Sequence, residues 1–288
     1  MESAEILKKI KRIEIQSKAL SENIFSGEYH TAFKGRGMAF SEVRPYHFGD
    51  DIRSIDWNVT ARHRTPYIKV FEEERELTLF FVIDVSGSSS FGGTTKTKLE
   101  LATDLLGVLL FSALANNDRF GAVFISDRIE QFIPTSKGKK HALYILHQLL
   151  TLKPKGKKTD LRIGADLIKE RIKKRSISFI ISDFIDENNF LDSYKWIAKK
   201  HDLIALHTID RIEEDIPNIG IIQMFDSETN QLKWVDTRVP EVRRFLSKQV
   251  EFRTKKLNLE FRKMGAEYMQ FRTSEDFVKP LYIFFKNR

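Results

Sequence analysis

The sequence predicts an α/β protein built on a mostly parallel, doubly wound sheet. Three observations carry that expectation. Leu77–Ile83 is a continuous apolar and β-branched run, and Ile177–Ile181 and Leu203–Ile209 are short, mostly apolar ones, the pattern of strands buried on both faces. Apolar or amphipathic stretches at helical spacing separate them, so strand and helix alternate as parallel connections require. Each run is also followed within two residues by an aspartate (Asp84, Asp183, Asp210), at the strand ends where open α/β sheets bind ligands.

The elements follow in order. Residues 2–22 place Ile6, Leu7, Ile10, Ile13 and Leu20 among Lys and Glu, which predicts an amphipathic helix against the body of the protein, ended near Gly27. After the strand at 77–83, Lys98–Asn116 is apolar over most of its surface and should be a nearly buried helix. Strands are expected at Phe120–Ile125 and Gln131–Ile133, and helices at Lys139–Leu152, Leu161–Lys173 and Phe190–Lys200. Ile219–Thr237 alternates around Asp226–Asn230 and reads as a hairpin. That hairpin is expected to pair with strands from residues 29–75 in a small β subdomain. Val242–Met264 is a long charged helix, and a strand at Tyr268–Phe271 with a helix at Asp276–Phe285 completes the main domain. The expected divisions are an N-terminal helix (1–28), a β/loop segment (29–76, with 218–238), an α/β core (77–210) and a completing region (211–288).

Composition narrows the class. A chain of 288 residues, 41% hydrophobic and 31% charged, can bury a substantial core and is not disordered in character. Cysteine is absent, which excludes a disulfide scaffold, a Cys-based zinc site and thiol catalysis, and fits a reducing compartment. No apolar run approaches the ~18 residues that span a bilayer; the longest, Leu101–Ala115, carries Thr103 and Asp104. The N-terminus lacks an apolar signal core, so the expected location is the cytoplasm. The net charge of +8 concentrates between Lys137 and Arg175, in particular in Lys153-Pro154-Lys155-Gly156-Lys157-Lys158. Without interleaved aromatics or a nucleic-acid motif, this basic loop reads as a docking surface for an acidic partner or a solvated loop, not as a nucleic-acid site.

The chemistry-bearing stretch is Asp84-Val85-Ser86-Gly87-Ser88-Ser89-Ser90 at the end of the first buried strand. Asp84, Ser86 and Ser88 are spaced so that a loop can turn all three toward one point, and hard oxygen donors with few charges suit Mg²⁺ or Mn²⁺. The same residues also make an ordinary polar turn. Thr159, in the loop after the lysines, offers a further hydroxyl, and Asp183 a second carboxylate at a strand end. The order Asp-x-Ser-x-Ser, then Thr, then Asp resembles the metal-ion-dependent adhesion site of von Willebrand factor A domains. That resemblance implies three loops, Asp84/Ser86/Ser88, Thr159 and Asp183, holding Mg²⁺ foremost, with Mn²⁺ or Ca²⁺ as substitutes. It also implies that Gln131–Ile133 is an antiparallel edge strand on a Rossmann-like sheet.

A second resemblance lies upstream, in Gly35-Arg36-Gly37, Glu42-Val43-Arg44-Pro45-Tyr46, Gly49-Asp50-Asp51-Ile52-Arg53-Ser54-Ile55-Asp56-Trp57, Ala61-Arg62 and the acidic Glu72-Glu73-Glu74 after Lys69. This pattern, continuing to the C-terminus, is similar to the DUF58 family, a prokaryotic group of von Willebrand factor A-like proteins associated with MoxR-type AAA+ ATPases. Physically, Asp50, Asp51 and Asp56 beside Arg44, Arg53 and Arg62 should pin an irregular loop through charge-assisted hydrogen bonds, with Trp57 anchoring it to the core. The competing reading makes the three aspartates a second metal site, with His47 and His63 as added ligands. Asp210 is expected to cap or pair rather than to ligate.

No phosphate-binding loop and no Gly-x-Ser-x-Gly elbow is present, and the hydroxyl-rich site offers no evident general base. The expected function is a non-enzymatic metal-binding adaptor that binds a MoxR-type ATPase or an acidic client protein. The alternative is a metal-dependent nuclease or phosphohydrolase using Asp50, Asp51 and Asp56 with the basic loop 153–158.

Overall fold

The computed structural model describes residues 8–15, 39–63, 65–72, 77–90, 92, 96–226 and 231–286. Two short antiparallel pairs stand apart from the main sheet. One is β1 (Ala39–Pro45) with β2 (Tyr67–Glu72), and the chain then supplies β3 (Thr78–Asp84), β4 (Arg119–Ile125), β5 (Ile129–Ser136), β6 (Ile177–Ser182) and β7 (Asp202–Ile209). The other pair is β8 (Ile221–Asp226) with β9 (Gln231–Asp236), and β10 (Glu267–Arg272) is the last strand. The central sheet has the order β10-β7-β6-β3-β4-β5. Every pairing in it is parallel except β4 with β5, so the fold is a mixed α/β one with a Rossmann-like sheet.

The helices are α1 (8–15), α2 (Trp57–His63), α3 (Lys98–Ala115), α4 (Lys139–Thr151), α5 (Arg162–Arg171), α6 (Leu191–Lys200), α7 (Arg211–Glu214), α8 (Pro240–Lys263) and α9 (Val278–Lys286), and those that pack on the sheet lie on both of its faces. The period-two alternation of β3 assigns its side chains to two cores. Leu79, Phe81 and Ile83 pack with α3, α4, α9 and with Ile10 and Ile13 of α1. Phe80 and Val82 pack with α5, α6 and the end of α8. Phe81 stacks on Phe179 at 5.2 Å between ring centroids, and each such fully buried side chain contributes about 1.5–3 kcal/mol of transfer free energy. Burial on both faces is why β3 and β6 read as mostly apolar runs.

α8 obeys other rules. Of its 24 residues only Leu257 and Phe261 are buried, and Phe245, Phe252 and Leu259 face solvent. Pro240 presets the first turn, and pairs such as Glu251–Lys255 support the exposed surface.

Several expectations need correction. The hairpin β8–β9 does not pair with residues 39–72; among the described residues the two pairs are separate sheets, so no single β subdomain forms through hydrogen bonds. Trp57 does not anchor its loop: it opens α2 with 68% of its surface exposed, because the turn of helix that holds it packs no face on the core. Only 8–15 of the expected N-terminal helix, and none of Gly35-Arg36-Gly37, falls within the described residues. No helix among the described residues is long and apolar enough to cross a membrane.

Candidate functional site

β3 and β6 are neighbours at the middle of the sheet, so the loops leaving their C-terminal ends emerge side by side. Asp84 is 2% exposed. Its Oδ1 accepts the Ser86 backbone N–H at 2.9 Å, an Asx-type turn that bends the chain off the strand, and its Oδ2 accepts the Ser182 hydroxyl from β6 at 2.7 Å. A 3₁₀ turn at Gly87–Ser90 follows, and the Ser89 hydroxyl donates back to Asp84 O at 3.0 Å. Ser86 and Ser88 hydroxyl oxygens lie 3.1 Å apart, and the Thr159 hydroxyl donates to Ser86 Oγ at 2.8 Å. Ser88 also hydrogen-bonds Asp183. The structure therefore brings Asp84, Ser86, Ser88, Thr159 and Asp183 together as one hydrogen-bonded set of oxygen atoms.

Thr159 reaches this set because its loop is strapped down. The Glu130 carboxylate accepts the backbone N–H groups of Lys155 and Gly156 and the Ser126 hydroxyl. Gly87 N–H donates to Lys157 O at 3.0 Å, Asp160 N–H to Ser126 O, and Leu161 N–H to Asp186. Gly156 is required at its position, since a Cβ there would fall 2.1 Å from both Asp127 Oδ1 and Ser126 Oγ. The lysine-rich segment is thus a fixed wall beside the site, with Lys153, Lys155, Lys157 and Lys158 exposed on its rim.

Asp183 is held in a strained turn. Phe184 has φ +52°, a left-handed conformation that costs a bulky residue about 1–2 kcal/mol. Its ring is clamped among Phe190, His207 and Phe261 at 5.3–5.9 Å between centroids, which offsets that strain. The turn lets Asp183 Oδ1 accept Ile185 N–H at 3.1 Å, while Oδ2 faces Lys98 Nζ at 2.6 Å.

Burial, and next the negative charge of Asp183, push the Asp84 carboxyl up to about 6. Burial acts on Asp183 in the same direction, but Lys98 and the hydrogen bonds at Ile185 and Ser88 outweigh it and hold that group below the usual range. The second carboxylate on Lys98 is Glu213 of α7, at 2.6 Å, which burial raises against the pull of the ammonium. Lys98, Ser182 and Glu213 were not foreseen. Thr97 and Glu100 form a reciprocal capping box, a local signal that does place Lys98 at the first residue of α3. Nothing local links it to partners 85 and 115 residues away.

The other candidates do not converge. Asp50 is doubly paired with Arg44, Asp51 caps the turn at Ile52–Ser54, and Asp56 accepts the N–H groups of Asn58 and Val59 at the start of α2. The expected pinning by Arg44 is present; Arg53 contributes its backbone N–H instead of its guanidinium. Asp210 caps α7 through Ile212 N–H and accepts the Thr273 hydroxyl. Among the described residues no three His, Cys, Asp or Glu side chains gather as a metal cluster. The donor set of Asp84, Ser86, Ser88, Thr159 and Asp183 consists of two carboxylates and three hydroxyls, all hard oxygen atoms, and so fits Mg²⁺ in type.

A family model described as "Protein of unknown function DUF58" matches residues 42–256. Uncharacterized protein Rv1480 of Mycobacterium tuberculosis and uncharacterized protein Mb1516 of Mycobacterium bovis are each 25% identical to the chain over 281 residues. Those alignments cover 97% of this chain and 88% of each relative. Among solved structures, an aerotolerance-related membrane protein from Bacteroides fragilis aligns at 12% identity over 73% of this chain and 97% of its own, with a TM-score of 0.49. BatB from Bacteroides thetaiotaomicron aligns at 15% identity over 72% and 96%, with a TM-score of 0.43.

Proposed function

The chain belongs to the DUF58 family, and from that premise we propose that it is a non-enzymatic adaptor that recognises an acidic residue of a partner protein through a metal-ion-dependent adhesion site. The observation that carries this reading is the convergence of Asp84, Ser86, Ser88, Thr159 and Asp183 at the ends of two central strands. On this reading the domain is von Willebrand factor A-like, and those five residues hold a divalent cation, Mg²⁺ by preference. When bound, the cation supplies Lewis acidity at which a partner carboxylate is received. The chain's own residues do the rest. Ser182 and the Ser86 N–H orient Asp84, the Phe184 turn orients Asp183, and the strapped loop delivers Thr159. The four rim lysines would draw an acidic surface toward the site and disfavour a basic one.

The partner we propose is a MoxR-type AAA+ ATPase, or an acidic client on which the two act together in assembly or maturation. Melting of wild type, Asp84→Ala and Asp183→Ala with and without Mg²⁺ tests the site. The wild type should gain stability from Mg²⁺ and both variants should lose most of that gain. Equal responses in all three proteins rule out the ligand assignment. Binding of a purified MoxR-type ATPase in Mg²⁺ and in EDTA tests the partner, and retention in EDTA would mean that the contact bypasses the cation.

A further inference from the structure

The candidate site already contains a cation. Lys98 Nζ lies 2.6 Å from both Asp183 Oδ2 and Glu213 Oε1, and its side chain is 1% exposed. A buried ammonium is tolerated only when it is paired and hydrogen-bonded. Its place at the first residue of α3 makes matters worse, because the positive end of the helix dipole repels it. The two carboxylates are therefore what keep it there. One of them, Asp183, is a proposed metal ligand. The other is not, and Glu213 Oε2 is buried with no hydrogen-bond partner among the described residues.

We propose that Lys98 is a resident counter-cation that competes with the divalent metal for Asp183 and withdraws onto Glu213 when Asp183 becomes a ligand. Glu213 has the oxygen free to receive it. The pair then sets how tightly the site holds a divalent cation: Lys98 weakens it, and Glu213 relieves the competition. Two positive charges need not share one buried carboxylate, and the metal-free site keeps its folded shape. This inference rests on the metal-site reading above.

The test is Mg²⁺ affinity by isothermal titration calorimetry on the full chain, for wild type, Lys98→Met, Glu213→Gln and the double variant, with melting in EDTA alongside. Lys98→Met should tighten Mg²⁺ at least tenfold while melting lower in EDTA. Glu213→Gln should weaken Mg²⁺ several-fold, because it removes the negative charge that draws the ammonium away from Asp183. In the Lys98→Met background, Glu213→Gln should lose most of that effect, a non-additivity that simple long-range electrostatics does not produce. Unchanged or weaker binding in Lys98→Met, unchanged or tighter binding in Glu213→Gln, or additive effects overturn the proposal. Where Lys98→Met does not fold, Glu213→Gln decides alone. A wild type with no affinity for Mg²⁺ rejects the site reading itself, and this inference with it; a binding wild type with unresponsive variants rejects only the role of Lys98 and Glu213.

Discussion

Removing the charge of Asp84 should stabilise the protein when metal is withheld, even though it destroys a proposed ligand. From the protein's own groups this carboxyl is raised from 3.8 to about 6, first by burial and then by Asp183. A carboxyl raised in the folded state favours folding while it is protonated and disfavours it once ionised. The contribution is therefore lost as pH rises from about 4 through 6. The displacement corresponds to about 3 kcal/mol against the folded state at neutral pH, of which about 2 kcal/mol develops between pH 4.5 and 7.5. Asn can still accept the Ser86 N–H that Asp84 Oδ1 accepts, so Asp84→Asn removes the charge with little change of shape. In EDTA the melting temperature of wild type should fall relative to Asp84→Asn by about 3 °C across that pH range. At pH 7.5, Mg²⁺ at a hundred times its Kd should return about 2.7 kcal/mol to wild type and almost nothing to the variant. Thermal melts monitored by circular dichroism at four pH values, with EDTA or Mg²⁺, measure both effects. Parallel pH curves for the two proteins in EDTA would show that Asp84 bears no such strain, and the electrostatic argument for a cation-accepting site would fail.

Three further outcomes are expected. Thr159→Val removes the hydroxyl that reaches Ser86 but keeps the side-chain shape, so Mg²⁺ affinity should drop about tenfold with little change of melting temperature in EDTA; calorimetry showing undiminished affinity would remove Thr159 from the donor set. Gly156→Ala places a methyl against Ser126 and Asp127 and should cost about 1–3 kcal/mol, with a blunted Mg²⁺ response because Thr159 is displaced; melts with and without Mg²⁺ report both. Glu130→Gln loses the charge that holds the N–H groups of Lys155 and Gly156, and trypsin should cut after Lys155, Lys157 or Lys158 several-fold faster; an unaltered cleavage rate would mean that the remaining bonds hold the loop alone.

Much of the fold is local information. β3, β6 and β7 are legible because strands buried on both faces are mostly apolar, with only a few buried polar residues such as Ser178 and His207, and α3 is legible because most of its surface is covered. The side-chain types at the candidate site are visible in the same way: short polar residues stand where apolar strands end. The failures are also physical. The expected anchoring of Trp57 fails because the seven-residue helix it opens has no buried residue and so no core to offer it. The two hairpins alternate like strands that want partners, but alternation does not name the partner.

What the chain determined by itself was the α/β class, the order of its elements and the presence of two carboxylates and several hydroxyls beyond strand ends. Periodicity and turn chemistry act over a few residues, and a sequence displays them directly. Only the tertiary structure decided that Thr159 is delivered by a loop tied to Glu130 and that Asp183 shares Lys98 with Glu213. Those contacts join segments up to 115 residues apart. They exist because the sheet order sets β6 beside β3 and β7 beside β6, so that charges which cannot be buried alone are buried together.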